Sequence, residues 1–115
     1  MREVEAEARF ADHLRAAGWT VTLGDPSHVD VIATHPDGSR LLAEVKGVTK
    51  DSGTSADIMF GQLLRRMDDV DGPTRYAVVV PESLRHVVER VPTAVRERLG
   101  LELWLVPDQG APFQA

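Results

Sequence analysis

Two short apolar segments joined by a Pro-Asp-Gly turn restrict this chain more than anything else in it. Val29-Asp30-Val31-Ile32-Ala33 and Leu41-Leu42-Ala43-Glu44-Val45-Lys46 have the composition of buried strands, yet they carry two carboxylates and an amine. Ionised groups among Val, Ile and Leu are costly to desolvate and persist when paired or bound to a metal. The intervening His35-Pro36-Asp37-Gly38-Ser39 has Pro at the second position of a type I turn and Gly where a left-handed residue is needed, the pattern of a three-residue hairpin loop with a G1 bulge. Such a loop pairs His35 with Ser39, so paired positions sum to 74 and Asp30 falls opposite Glu44. Strand alternation then puts Lys46 on the face of Glu44 and of Asp30. Opposed carboxylates with Cβ atoms ~5 Å apart repel, and a divalent cation on oxygen ligands removes the repulsion. The pattern reads as a metal site. The alternative is a different register in which each group faces solvent.

The rest of the chain sets the setting of that hairpin. Its 115 residues suffice for one domain with a core, and it has no cysteine, which rules out disulfides and thiolate zinc sites. No segment approaches the ~20 apolar residues of a membrane span, and the charged N-terminus is unlike a signal peptide, so a soluble cytoplasmic protein with no membrane partner is expected. The net charge of −5 runs against a nucleic-acid binder. Positive charge nevertheless clusters centrally at Arg40, Lys46, Lys50, Arg65 and Arg66.

Arg2 to Ala17, free of Gly and Pro, predicts a helix stopped by Gly18. Trp19 to Leu23 alternates like a strand and is closed by Gly24-Asp25-Pro26-Ser27. Residues 47–55, rich in Gly, Ser and Thr, predict a mobile loop, and 56–69 a helix with Phe60, Leu63, Leu64 and Met67 on one face. Arg75 to Val80 is an uninterrupted apolar strand, 81–99 a helical stretch broken at Pro92, and Leu101 to Val106 a last strand. One domain over 1–106 is expected, with 107–115 a flexible tail. The order helix, three strands, helix, strand, helix, strand predicts an α/β fold with a mixed sheet flanked by helices.

That order, with Asp on the second strand and Glu-x-Lys on the third, resembles the PD-(D/E)XK phosphodiesterase superfamily, the restriction-endonuclease-like αβββαβαβ fold of Holliday junction resolvases and many repair and defence nucleases. The resemblance spans residues 2–106. It extends to Glu7, placed before Gly18-Trp19 as in resolvase-like members, and to Gln62 in the helix after Glu-x-Lys. The Pro of the family name is missing, since His28-Val29 precedes Asp30.

The resemblance implies a Mg²⁺- or Mn²⁺-dependent nuclease, most simply a DNA endonuclease. Asp30, Glu44 and the Val45 carbonyl would hold the ion, a hard cation suited to oxygen ligands. Lys46 would orient the attacking water or stabilise charge on the phosphate. Glu7 is a metal ligand by resemblance; on its own helix, Phe10 and Leu14 at i+3 and i+7 turn it inward, whereas a solvated charge is the plain reading. Gln62 would position phosphate or water, or be an exposed glutamine. Arg65, Arg66 and Lys50 are candidates for the nucleic-acid backbone, the arginines equally a solvated helix face. His28 shares the face of Asp30 and either contacts substrate or merely ends the strand. No appended recognition domain is expected, so a homodimer or a partner protein would supply specificity. The rivals are a non-catalytic binding module that keeps the fold and a nuclease subunit inactive without its partner.

Overall fold

The computed structural model describes residues 1–24 and 30–115. Helix α1 (Glu3–Ala16) leads into strands β1 (Thr20–Leu23), β2 (Val31–Thr34) and β3 (Arg40–Val45). Helix α2 (Ser52–Arg66) then crosses to β4 (Thr74–Pro81), and a broken helical connection leads to β5 (Leu101–Val106). That connection is a 3-10 turn at Glu82–Leu84, α3 (Arg85–Val88) and α4 (Thr93–Leu99). One sheet holds all the strands in chain order, and a short β6 (Phe113–Gln114) completes it. Pairing is antiparallel for β1–β2–β3, parallel for β3–β4–β5, and antiparallel again at β6. The mixed α/β sheet flanked by helices is therefore the observed architecture.

The hairpin closes as its turn chemistry predicts. His35 N–H donates to Ser39 O at 2.9 Å, Gly38 takes φ +94°, and Asp37 Oδ1 accepts from Ser39 N–H at 2.8 Å. Val31 pairs with Ala43 and Thr34 with Arg40, the register that sums to 74. Strand alternation divides the apolar residues between two layers. Val31, Ala33, Leu41, Ala43, Val45, Ala77 and Val79 meet Ala6, Phe10 and Leu14 of α1. Leu42, Tyr76, Val78, Leu103 and Leu105 meet Met59, Phe60 and Leu63 of α2 and Val88 of α3. β4 is buried almost from end to end because both layers cover it, which explains its uninterrupted apolar run.

Three segments differ from expectation. Helix α2 begins at Ser52, inside the stretch expected to be a mobile loop, because Asp51 caps it: its Oδ1 accepts from Thr54 N–H at 3.0 Å and its Oδ2 from the Thr54 hydroxyl at 2.7 Å. The helical stretch expected from Pro81 opens one residue later, because Pro81 is still paired in β4, while its expected break at Pro92 separates α3 from α4. Residues 107–115, expected as a flexible tail, return to the sheet edge, where Leu105 pairs with Phe113 and Ala115 N–H donates to Leu103 O at 2.9 Å. Arg9 of α1 fastens this return by bonding the carbonyls of Pro107 and Gly110. Among the described residues, no helix is long and apolar enough to cross a membrane.

Candidate functional site

Asp30 lies one residue before β2 and Lys46 one residue after β3, at the same end of the hairpin. Residues just outside a ladder are released from its alternation, and this pair uses that freedom. Asp30 Oδ2 accepts from Val45 N–H at 2.8 Å, so Asp30 takes the place of the next backbone partner. An extended residue presents its N–H and carbonyl to the same side, so the Val45 carbonyl also points to the Asp30 side.

Glu44 sits inside β3 on the α2 face and is 2% exposed. Burial, followed by the charge of Asp30, pushes its pKa up to about 7, against the pull of Arg66 and Lys46. Arg66 Nε stands 3.9 Å from Glu44 Oε1, an ion-pair contact longer than a hydrogen bond. Glu44 Oε1 and Gln62 Oε1 are buried and, among the described residues, without a hydrogen-bond donor. Buried acceptors are ordinarily satisfied, so two such oxygens need an explanation.

The other wall comes from α1. Glu3 and Glu7 lie one helical turn apart on the same side, and one oxygen from each lies within 4.8 Å of the other and of an Asp30 oxygen. Burial raises both carboxyls above the usual range; Asp30 adds to both, Glu3 adds to Glu7, and Lys46 partly lowers Glu3. Lys46 Nζ is 3.9 Å from Glu3 Oε1. The close approach of α1 depends on Gly47, where an added Cβ would lie 2.2 Å from Glu3 N, and on a bond from Val48 N–H to Met1 O at 3.0 Å.

The structure thus brings together Glu7, Asp30, Glu44, the Val45 carbonyl and Lys46, and it places Gln62 and Arg66 one turn apart on the side of α2 from which Arg66 reaches Glu44. Asp30 joins two sets, Glu44 on one side and the α1 carboxylates on the other; Glu44 is not within the 4.8 Å trio. Glu3 is a site residue that the sequence pattern did not single out. Its signal is the i, i+4 spacing to Glu7, which puts both on one face of the helix. Arg65 is exposed on the outer side of α2 and Lys50 is exposed beyond β3, while His28 lies outside the described residues. The remaining histidines stand apart from this site: His13 packs on Trp104, His35 bonds Asp37 in the turn, and His86 is exposed.

The donor set is all oxygen, burial and the Asp30 charge raise the carboxyls of Glu3, Glu7 and Glu44, and two buried acceptors have no donor among the described residues. A hard divalent cation fits that arrangement.

No protein-family model matches this sequence, and no curated protein matches it. Solved structures show the same fold. A protein of unknown function from Silicibacter pomeroyi aligns at TM-score 0.64 and 23% identity over 100% of this chain and 70% of that one. An fdxN element excision controlling factor protein from Anabaena variabilis aligns at 0.64 and 17%, over 97% and 95% of the two chains. An XisH family protein from Nostoc punctiforme aligns at 0.62 and 18%, over 95% and 96%. The fold is shared with these proteins along nearly the whole of this chain.

Proposed function

We propose that this protein is a metal-dependent nuclease that hydrolyses phosphodiester bonds, with DNA as its substrate and Mg²⁺ or Mn²⁺ as its cofactor. The observation that carries the reading is the convergence of Asp30, Glu44, Glu7 and Glu3 with Lys46 at one rim of the hairpin. Asp30, Glu44 and the Val45 carbonyl would hold the ion from the sheet, and Glu7 and Glu3 would close the site from α1. When bound, the ion would supply Lewis-acid stabilisation of the phosphate and acidify a coordinated water.

The chain's own groups do the rest. Lys46, freed from Glu3 once that carboxylate is engaged, donates hydrogen bonds to the attacking water or to a non-bridging phosphate oxygen, where negative charge builds. Gln62 has an oxygen to accept from water and an amide to donate to phosphate. Arg66 keeps the Glu44 carboxylate oriented and limits its repulsion with Asp30. Lys50 offers a contact to the nucleic-acid backbone at the open rim, and such contacts supply affinity without sequence information.

The test is cleavage of labelled linear duplex, single strand, four-way junction and RNA with Mg²⁺, Mn²⁺ or EDTA, alongside Asp30→Ala and Lys46→Ala and with metal binding followed by calorimetry. Metal-dependent cleavage lost in both variants supports the nuclease and identifies its substrate. Absence of both cleavage and metal binding would refute it in favour of a non-catalytic binding module. Metal binding without cleavage would point to a subunit that needs a protein partner.

A further inference from the structure

Helix α2 has three sides with three occupations. Ala56, Met59, Phe60 and Leu63 enter the core, and Gln62 and Arg66 take the side of the carboxylates. The outer side carries Asp57, Ile58, Gly61, Leu64 and Arg65, which at about 100° per residue form one stripe. Arg90 touches its N-terminal end, bonding Gly53 O at 3.1 Å and meeting Asp57 Oδ1 at 3.4 Å. Ile58 and Leu64 are 52% and 47% exposed, and a Cβ on Gly61 would meet only Arg65 Nη1, at 3.8 Å.

The stripe is self-complementary about Gly61. Three residues before Gly61 stands Ile58, and three after it Leu64; four before stands Asp57, and four after it Arg65. We infer that a second copy of this chain docks here, its α2 antiparallel to the first across a two-fold axis at Gly61. The antiparallel arrangement brings Asp57 and Ile58 of one copy to the level of Leu64 and Arg65 of the other, twice by symmetry. Apolar groups then meet across the seam, each acid has a base opposite, and the missing side chain of Gly61 lets the backbones approach. A nucleic acid would meet Asp57 unfavourably, and an unrelated protein has no need of this mirrored order. Gln62 and Arg66 lie about a third of a turn from the seam, so both carboxylate sites stay open. A helix pair alone covers less than the ~1,200 Å² of standard interfaces, so the dimer is weak and concentration-dependent. This inference does not rest on the nuclease reading, because its readout is mass.

Sedimentation velocity over a concentration series, without metal or nucleic acid, tests it. The wild-type protein is expected to rise from the 12.6 kDa of one chain toward twice that mass. Leu64→Glu should raise the dissociation constant at least about tenfold, and Asp57→Arg and Arg65→Asp should each raise it several-fold. The double reversal Asp57→Arg/Arg65→Asp should recover to within about threefold of wild type. The Arg90–Asp57 contact is lost in the Asp57→Arg single and the double variant alike, so it cannot explain recovery. All three positions are solvent-facing, and circular dichroism should be unchanged. A wild-type monomer at every concentration, a dimer indifferent to Leu64→Glu, or a double reversal no better than the singles would each overturn the assignment.

Discussion

The two ends of the sheet handle ionised side chains in opposite ways. At the hairpin-turn end, Arg75 Nε and Nη2 bond Glu102 Oε2 and Oε1 at 2.6 and 2.7 Å, and Trp104 Nε1 adds a third bond to Oε1 at 3.0 Å. Arg75 also lies over the Trp19 ring at 5.7 Å, and Trp19 packs edge-on against His35. Arg75 and Glu102 thus satisfy each other at hydrogen-bond distance. At the other end the acidic groups outnumber such partners, and the cationic contacts Lys46–Glu3 and Arg66–Glu44 stand at 3.9 Å. A closed bidentate network ties strands together. The open one leaves the buried Glu44 Oε1 and Gln62 Oε1 without a donor among the described residues.

The largest contrast should come from deleting one member at each end. Asp30→Ala or Lys46→Ala should lower metal-dependent cleavage by at least about 10²–10³-fold, while Arg75→Ala should leave cleavage within a few-fold. Equal losses from both ends would erase the distinction. Gly47→Ala comes next. Its Cβ would lie 2.2 Å from Glu3 N, so the start of α1 must shift. We expect a loss of about 1–3 kcal/mol in denaturant unfolding, together with weaker Mg²⁺ binding by calorimetry. A stability loss with unchanged metal affinity would remove α1 from the site. Glu102→Ala should cost about 1–2 kcal/mol of stability, because it strands Arg75 and the indole N–H of Trp104. Metal affinity should not move.

The smallest effect is on pH. The Glu44 carboxyl is raised to about 7 from an ordinary 4.5, so the metal-free folded state binds more protons than the unfolded chain between those values. Stability in chelator should therefore fall as pH rises through that window and level off above it. Melting temperatures measured from pH 5 to 8 should drop by a few degrees, and Glu44→Gln should flatten the curve. Saturating Mg²⁺ should raise the melting temperature most at the alkaline end, where the carboxylates are ionised. A flat wild-type profile would mean that Glu44 is not desolvated in the folded protein.

Much of this site is legible in the sequence, and for local reasons. The Pro-Asp-Gly turn sets the hairpin register, and register brings Asp30 beside Glu44. The start of α2 also has a local signal, Asp51 followed three residues later by Thr54, but it is masked by the Gly, Ser and Thr content of a segment that resembles a loop. Glu3 carries only the indirect signal of its i, i+4 spacing to Glu7, because nothing in a helix's own sequence says which turn will meet a distant strand end. The tail return at Phe113–Gln114 is hidden for the same reason, since it depends on Arg9 reaching carbonyls about a hundred residues away.

Sequence alone determined the alternation of helix and strand, the hairpin and its register, and the presence of two carboxylates and a lysine where apolar residues belong. All of these follow from period-two and 3.6-residue patterning and turn chemistry, which act over a few residues. Only the tertiary structure decided that α1 would lay Glu3 and Glu7 against Asp30 while α2 brought Arg66 to Glu44. Those helices cover opposite faces of the sheet, and their side chains meet one site because Asp30 and Lys46 lie just past the ends of their strands, where the ladder no longer dictates a face.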